Sequence, residues 1–361
     1  MQLDLHVNTI GRHLKNRFGE RVHKLPLHGD FTCPNRDGTL GRGGCSFCNV
    51  RSFNRAAPAP IALQLAAGRA KMDRARRYLA YFQAYTSTYA EVETLRRLYE
   101  QALAGADVVG LCVGTRPDCV PDTVLDLLAG YRERGFEVWL ELGLQSAFDG
   151  TLDRINRGHG FAAYADAVQR AHVRRIPVCT HLIVGLPGEA PAASLDTLAR
   201  VLDLGVAGLK LHPLMIVRGS RLASAWRRGE VSPPDLETYA EVAAAMIRRT
   251  PAAVVYHRVS ATANAPTLLA PAWCAGRFDA IHAIARRLSA SGGQGRDTAE
   301  PYVPPGAPML AARTGASVAL PAAAAPVADA LPEGAPFAPF EPRGTPGAVF
   351  VPAADSACLP D

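Results

Sequence analysis

Short apolar segments rich in β-branched or aromatic residues alternate with longer segments of helical periodicity over the first 212 residues of the chain. The strand candidates are 21–27, 77–85, 107–113, 137–143, 176–185 and 206–212. The helix candidates between them are 60–77, 90–105, 121–135, 161–175 and 192–205. Repeated strand–helix units are typical of a parallel sheet with right-handed crossovers. The pattern predicts an α/β fold, and periodicity alone leaves open a doubly wound sheet or a partial barrel.

Unusual residues gather directly after the predicted strands. They occupy 33–48, 85–88, 114–118, 145–146 and 185–189. Both parallel architectures place their chemistry at the carboxyl ends of the strands. We therefore expect these five segments to converge on one site.

The first of these segments carries three cysteines, Cys33, Cys45 and Cys48, separated by eleven and two residues. A structural zinc site takes four Cys or His ligands, whereas an iron-sulfur cluster with three protein ligands leaves one iron open for another molecule. Four glycines in the loop allow the close approach that wrapping a cluster requires. The alternatives are a zinc knuckle completed by His23 or His28, or three unrelated thiols.

Composition bounds the compartment and the partners. No stretch reaches the roughly 18 apolar residues needed to span a bilayer, and residues 1–24 lack a signal-peptide core. We expect a cytoplasmic protein without membrane contact, in which clustered cysteines bind metal and single ones are buried hydrophobes. The net charge of +6 permits a nucleic-acid partner but does not require one.

The chain divides into three predicted parts: a core over 1–215, a C-terminal extension over 216–290 and a tail over 291–361. The tail is rich in Ala and Pro and has no sustained period, which predicts disorder. In the extension, Tyr256, His257, Arg258, Trp273 and Cys274 are the candidates to face a substrate, although packing is the commoner role for such aromatic residues.

The cysteine loop, the phenylalanine before its last cysteine and the ordered strand ends resemble the radical SAM superfamily. The strings LHGDFTCPNRDGTLGRGGCSFCNV, VGLCVGTRPDCVPD, VWLELGLQS, INRGH and HLIVGLPGE resemble its YhcC-like group, in the branch that holds the Elongator catalytic subunit. The usual spacing in the superfamily is three residues and then two, so the eleven-residue gap departs from it. The resemblance implies a partial (βα)6 TIM-like barrel with a small C-terminal α/β extension.

The resemblance also implies cofactors and their ligands. Cys33, Cys45 and Cys48 would bind three irons of a 4Fe-4S cluster, and S-adenosylmethionine would chelate the fourth through its amino and carboxylate groups. Further contacts to S-adenosylmethionine are implied for Phe47, Ala84, Tyr85, Thr86, Gln145, Arg157, His181, Ile183 and Gly185. Phe47 would lie near the adenine, Arg157 would bind a carboxylate, and His181 stands where relatives have an Asp.

Two hypotheses follow for the activity. The first is a radical SAM enzyme that receives an electron from a reductant such as flavodoxin or ferredoxin and abstracts hydrogen from an unidentified substrate, with RNA or a modified nucleoside as the leading expectation. The second is a non-catalytic, zinc-dependent nucleic-acid-binding protein. Basic residues that would track a phosphate backbone are Arg12, Lys15, Arg17, Arg21, Lys24, Arg69, Lys71, Arg74, Arg76 and Arg77.

Overall fold

A seven-stranded parallel sheet with helices packed around it forms the body of the protein in the computed structural model, which describes residues 3–49, 59–72, 75–276 and 278–298. Its strands are β1 (Val22–Leu27), β2 (Arg77–Phe82), β3 (Val108–Thr115), β4 (Glu137–Gln145), β5 (Val178–Val184), β6 (Gly208–Pro213) and β8 (Val255–Arg258). They pair in chain order, so the sheet curls into a partial barrel with β1 and β8 at its edges. A small antiparallel pair, β7 (Ile216–Val217) and β9 (Leu268–Ala270), lies outside it.

The helices of the described part of the chain are α1 (Ile10–Phe18), α2 (Pro34–Asp37), α3 (Ile61–Arg69), α4 (Val92–Leu103), α5 (Asp122–Glu133), α6 (Asp149–Arg154), α7 (Phe161–Val173), α8 (Pro191–Asp203), α9 (Arg221–Arg227), α10 (Leu236–Arg248) and α11 (Asp279–Ser291). Those between the strands bury one apolar face against the sheet, as Leu95, Tyr99 and Leu103 of α4 do.

The predicted α/β class and partial barrel are confirmed, and each of the six predicted strands is present within a few residues of its expected bounds. The candidate helix 60–77 is shorter than predicted, since α3 ends at Arg69 and β2 begins at Arg77. The seventh strand, β8, was not predicted from the sequence. Its four residues are too few to show a period.

The concave face of the sheet holds an apolar layer near the amino ends of the strands. Trp139 of β4 is the largest side chain there, and Leu14 of α1 packs into the same cluster. The ring of Trp139 contacts the rings of His13 and His257 edge-on, at centroid distances of 5.9 and 4.5 Å. Helix α1 therefore closes this end of the barrel, and Thr9 just before it bridges to Tyr256 beside β8.

The predicted tail begins with ordered residues. Gln294 donates through its side-chain amide to the carbonyls of Pro251 and Val254, and accepts from the backbone N–H of Asn8 at 2.8 Å. The rest of the predicted tail, 299–361, lies outside the described residues. No helix in the described ranges is long and apolar enough to cross a membrane.

Candidate functional site

The cysteine loop is held in place by the turn that follows α6. The backbone N–H of Ser46 donates to the carbonyl of Ile155 at 2.8 Å, and the Asn156 side chain donates to the carbonyl of Gly44 at 2.8 Å. Asn35, inside the loop, donates to the carbonyl of Asn156 at 2.7 Å. Gly44 has a φ of 74°, and a Cβ there would lie 2.7 Å from the Arg36 side chain, so the loop requires a glycine at this position.

Hydrogen-bond donors already point at the loop thiols. The guanidinium of Arg157 lies 3.3 Å from the Cys45 sulfur, and the Asn35 amide lies 3.7 Å from it. The Arg36 side chain donates to the carbonyl of Cys48 at 2.7 Å. Donors around sulfur stabilise a cluster held by thiolates and tune its potential. The donors around the loop therefore stabilise negative charge on the cysteine sulfur atoms.

The spacing of the three thiols separates the two kinds of metal site. Zinc–sulfur bonds of about 2.3 Å in a tetrahedron place sulfur atoms only about 3.8 Å apart. Among the described residues, the groups whose ligand atoms lie within 4.8 Å of one another do not include Cys33, Cys45 and Cys48 together. The three cysteines are also free of disulfides. At least one pair of the three sulfur atoms therefore lies more than 4.8 Å apart, which is too far for all three to bind one zinc ion in this arrangement. An iron-sulfur cluster binds each thiolate through a different iron and accepts a wider spacing.

The turn after β2, residues 84–86, lies beside the cysteine loop. Tyr85 adopts a left-handed φ of 62°, which a glycine would adopt without strain. The backbone N–H of Thr86 donates to the carbonyl of Thr32 at 3.1 Å. The hydroxyl of Thr86 is buried and has no hydrogen-bond partner within the described part of the chain. The turn thus keeps a glycine-like backbone without glycine, and it leaves one polar atom available to a bound molecule.

A cavity of about 280 Å³ opens at the carboxyl ends of the strands, next to the cysteine loop. The predicted residues that line it are Cys33, Cys45, Phe47, Cys48, Tyr85, Thr86, Gln145, Arg157, His181 and Ile183. Ala84 and Gly185 do not line it. Ala84 is buried behind the turn, and Gly185, at a φ of 88°, packs so closely on Pro234 that a Cβ would lie 2.6 Å from the proline ring.

Arg157 is buried and already hydrogen-bonded. It donates to the carbonyl of Gly143 at 2.5 and 3.2 Å, in addition to its contact with Cys45. Its own carbonyl accepts from Arg116, which pairs with Asp118 at 2.6 Å. The side chain therefore ties the cysteine loop to the end of β4, and its guanidinium faces the cavity from that position.

The barrel interior also contains a buried carboxylate, Glu141, at the centre of β4. Within hydrogen-bond distance of its two oxygens lie Lys24 (2.6 Å), His181 (2.7 Å), Tyr81 (2.8 Å), His257 (2.9 Å), Cys112 (3.0 Å) and Lys210 (3.1 Å). Every side of the carboxylate is satisfied. Because Lys24 comes from β1 and His257 from β8, this one side chain connects both edges of the open sheet.

The network fixes the protonation of its members. Burial alone would raise the pKa of Glu141, but Lys210 and Lys24, with hydrogen bonds from the histidines, hold that pKa well below its usual range. Burial lowers the pKa of His181 to about 4 and that of His257 to about 3, so both are neutral donors at neutral pH. Burial also lowers the pKa of Lys210, which Glu141 offsets only in part.

Two combinations around Glu141 have metal-ligand geometry, one with Cys112 and His257 and one with Cys179 and His181. A metal ion at either place would face the ammonium groups of Lys24 and Lys210, which the same carboxylate already binds. Like charges at this distance in a buried setting are strongly unfavourable. We therefore interpret the cluster as a salt-bridge network.

The network was missed from the sequence, although it left a signal. Lys24 and Lys210 are each the one Lys, Arg, Asp or Glu of their strands, and Glu141 lies in the apolar middle of β4. Of the five extension candidates, Arg258 lines the cavity and His257 joins the network. The other three pack: Tyr256 hydrogen-bonds Thr250, Trp273 donates to a backbone carbonyl, and Cys274 is fully buried.

The predicted basic stripe is only partly free. Lys24 points into the barrel, so its assignment to the surface was wrong. Arg17, Arg69 and Arg77 form ion pairs with Glu137, Asp107 and Glu20. Arg74 lies outside the described residues. Four of the ten basic residues that the pattern offered to a phosphate backbone are therefore paired with acidic side chains.

Comparison with known proteins matches the chain to two family models. The Radical SAM superfamily model matches residues 37–201, and the Radical_SAM C-terminal domain model matches residues 206–290. The first match contains two of the three loop cysteines and the ends of β2 to β5. Apart from Cys33 and Arg36, the residues that line the cavity lie within the two matched regions.

Individual relatives agree with these models. Protein YhcC of Escherichia coli (strain K12) is 57% identical over 84% of this chain and 99% of its own length. A tRNA uridine(34) acetyltransferase of Dehalococcoides mccartyi is 30% identical over 35% of this chain and 27% of its own. The solved structure of the archaeal Methanocaldococcus infernus Elp3 with an N-terminal deletion superposes with a TM-score of 0.50 at 20% identity, covering 65% of this chain and 55% of that one.

Proposed function

Because the chain belongs to the radical SAM superfamily, in its YhcC-like and Elongator-like group, we propose that it abstracts hydrogen from an RNA or modified-nucleoside substrate in the cavity beside the cysteine loop. It is an enzyme of this class, with a 4Fe-4S cluster and S-adenosylmethionine as its cofactors. When bound, the reduced cluster supplies the electron that splits S-adenosylmethionine into methionine and a 5'-deoxyadenosyl radical. We propose flavodoxin or ferredoxin as the electron source.

The observation that carries the proposal is the arrangement of the loop thiols at the cavity mouth. Cys33, Cys45 and Cys48 would hold the cluster, and S-adenosylmethionine would take the place of a fourth protein ligand. Arg157 donates toward Cys45 and faces the cavity, from where its planar fork would bind the carboxylate of S-adenosylmethionine. Thr86 would offer its unpartnered hydroxyl and its backbone to the amino group.

Residues around the rest of the cavity would position and shield the cofactor. Phe47 and Ile183 supply apolar contact for the adenine, and Gln145 supplies an amide for the ribose. His181 is a neutral donor that Glu141 holds in place, and it would also contact S-adenosylmethionine. Ala84 and Gly185 would act through the shape of their turns, since neither reaches the cavity.

The RNA part of the proposal is supported by relatives named for an action on tRNA uridine, which match about a third of this chain. The electron of one reduced cluster and one molecule of S-adenosylmethionine would supply one hydrogen abstraction.

Anaerobic reconstitution tests the proposal. We expect a brown protein with about four irons, which releases 5'-deoxyadenosine when reduced with S-adenosylmethionine. Comparing tRNA nucleosides from cells with and without the protein by mass spectrometry would identify the substrate. A colourless protein that holds zinc and forms no 5'-deoxyadenosine would refute the enzyme in favour of the zinc-dependent binding protein. Unchanged tRNA nucleosides would refute the RNA substrate alone.

A further inference from the structure

The wall formed by β5, β6 and β8 presents a row of nitrogen-containing side chains to the cavity. His181, Lys210 and Arg258 are neighbours in the strand register, and each lines the cavity. His212, two residues along β6 from Lys210, lines it in the next row. Inward positions alternate along a strand, so this placement follows directly from the spacing of Lys210 and His212.

The lining of the cavity is strongly positive. Among the described residues it includes Arg36, Arg116, Arg157, Lys210 and Arg258. No Asp or Glu belongs to the lining in that same part of the chain. A cavity that lacks carboxylates and carries several cations favours an anionic ligand.

Most of these cations are already engaged. Arg116 is paired with Asp118, and Arg36 and Arg157 donate to backbone carbonyls at the cysteine loop and β4. Lys210 shares Glu141 with Lys24, so two ammonium groups face one carboxylate.

Arg258 differs from the other cations. Within the described ranges its side chain has neither a hydrogen bond nor an ion pair and is exposed to the cavity. A bound anion would meet a guanidinium with both donors of its fork available, beside an ammonium group that is only half neutralised.

Burial lowers the pKa of Lys210, and repulsion from Arg258 and Lys24 adds to the effect. An anion placed between Lys210 and Arg258 would relieve that repulsion. Burial likewise keeps the pKa of His212 well below its usual range, with Arg258 and Lys210 adding to it. His212 is therefore a neutral neighbour of this pair. In the described part of the chain, Glu141 is the carboxylate that pairs with Lys210, and the Tyr81 hydroxyl and the Cys179 thiol also face its ammonium group.

Arg258 is also reachable from the side of the barrel. A second cavity of about 490 Å³ lies at the seam of the open sheet, lined by Pro26 of β1, by His28 just after β1 and by His257 and Arg258 of β8. Gln83 and Arg258 line both cavities. A ligand that is too large to be enclosed could place one group at Arg258 and leave the remainder outside.

We propose that Lys210 and Arg258 form a subsite for an anionic group of the substrate, a carboxylate or a phosphate. The proposal rests on the function proposed above, in which this cavity receives the substrate. Arg258 binds the anion through its two-donor fork, Lys210 contributes its charge from below, and Glu141 holds Lys210 in place.

The test uses cluster-loaded protein with S-adenosylmethionine bound, and inorganic phosphate or acetate as the probe at constant ionic strength. Ligand-dependent thermal stabilisation gives the apparent affinity. We compare the wild type with Arg258→Gln, Arg258→Lys and the control Arg286→Gln, which removes an exposed arginine of α11 outside the cavity. Arg258 is exposed, so none of these changes disturbs the core.

We expect Arg258→Gln to weaken binding of the preferred probe about ten- to a hundredfold, Arg258→Lys to weaken it less, and Arg286→Gln to leave it unchanged. Tighter binding of phosphate would indicate a phosphate group on the substrate, and tighter binding of acetate would indicate a carboxylate. The inference is overturned if neither probe stabilises the wild type, or if Arg258→Gln binds both probes normally. It is also overturned if Arg258→Gln loses affinity for S-adenosylmethionine by calorimetry, because the pair would then serve the cofactor.

Failure of the proposed function and failure of the anion subsite give different results. Absence of 5'-deoxyadenosine from the reduced wild-type enzyme would refute the proposed function, whatever the anion data show. Release of 5'-deoxyadenosine together with unchanged anion binding in Arg258→Gln would refute the subsite alone.

Discussion

Replacing Glu141 with glutamine tests whether one carboxylate holds the inside of the barrel together. Glutamine keeps the size of the side chain but offers one acceptor oxygen and two N–H donors. Either oxygen of Glu141 is surrounded by three donors, and one set would now face an N–H group. Lys24 and Lys210 would also lose their shared counter-charge inside the protein.

The expected cost follows from this geometry. Breaking a buried ion pair by removing one partner destabilises a protein by about 3–5 kcal/mol, since the remaining charge stays buried without compensation. Glu141 has a fully buried side chain, while that of Lys24 is 19% and that of Lys210 4% exposed. We expect Glu141→Gln to fall within this range, with Lys210 carrying more of the loss than Lys24 because it is less accessible to water.

Urea denaturation followed by circular dichroism, under reducing conditions, measures this loss as the change in the free energy of unfolding. Glu230→Gln is the matched control, because the same substitution there removes an exposed ion pair with Arg228. In the double variant Glu141→Gln, Lys210→Met we expect part of the loss to be recovered, since one stranded charge is gone. If Glu141→Gln unfolds at the same urea concentration as Glu230→Gln, the network does not stabilise the barrel.

Three further predictions concern pH, the cluster and the cofactor. Burial lowers the pKa of His181 to about 4 in the folded protein, whereas an unfolded histidine has a pKa of about 6.5. Between these two pH values the unfolded chain binds more protons than the folded one. The free energy of unfolding therefore falls as the pH drops through this window. In His181→Asn, the slope of the unfolding free energy against pH, measured on the metal-free chain between about pH 4 and pH 6.5, should be smaller by about 1.4 kcal/mol per pH unit. An unchanged slope would contradict the assignment of His181 as a neutral donor. Cys45→Ala should abolish iron binding by metal analysis whereas Cys274→Ser, at a buried packing site, should retain it; equal iron in both would remove Cys45 from the ligand set. Arg157→Ala should weaken binding of S-adenosylmethionine by about 1.5–3 kcal/mol in calorimetry of cluster-loaded protein, and an unchanged affinity would exclude Arg157 as the carboxylate ligand.

The strands were predictable because their apolar runs are continuous. In β3 every residue is buried, and in β4 every residue except Gln145 is. A strand covered on both faces is apolar along most of its length, so its composition alone predicts it. The order of the strands then follows from the short right-handed crossovers. The short strand β8 had no such signal, since its position depends on pairing with β6 after more than forty intervening residues.

Only the side of the cavity that the cysteine loop forms was predictable from sequence motifs. Cysteines with a fixed spacing and glycines with a positive φ leave a local signal, and the cysteine loop was located from that signal. The opposite wall depends on which side chains the sheet register brings together. Lys210 and Arg258 are 48 residues apart and neighbours only through the pairing of β6 with β8. A charge inside an apolar strand indicates that a partner exists but does not say which residue it is.

The same register explains why the open edge of the barrel and the cavity are linked. Lys24 on β1 and His257 on β8 lie 2.9 Å apart, and both contact Glu141. Arg258, the next residue after His257, faces the cavity and also lines the opening at the seam. A movement that separates β1 from β8 would therefore break the contact of Lys24 or of His257 with Glu141. Because Arg258 follows His257 directly on β8, a loss of the His257 contact would also loosen the strand that presents Arg258 to the cavity.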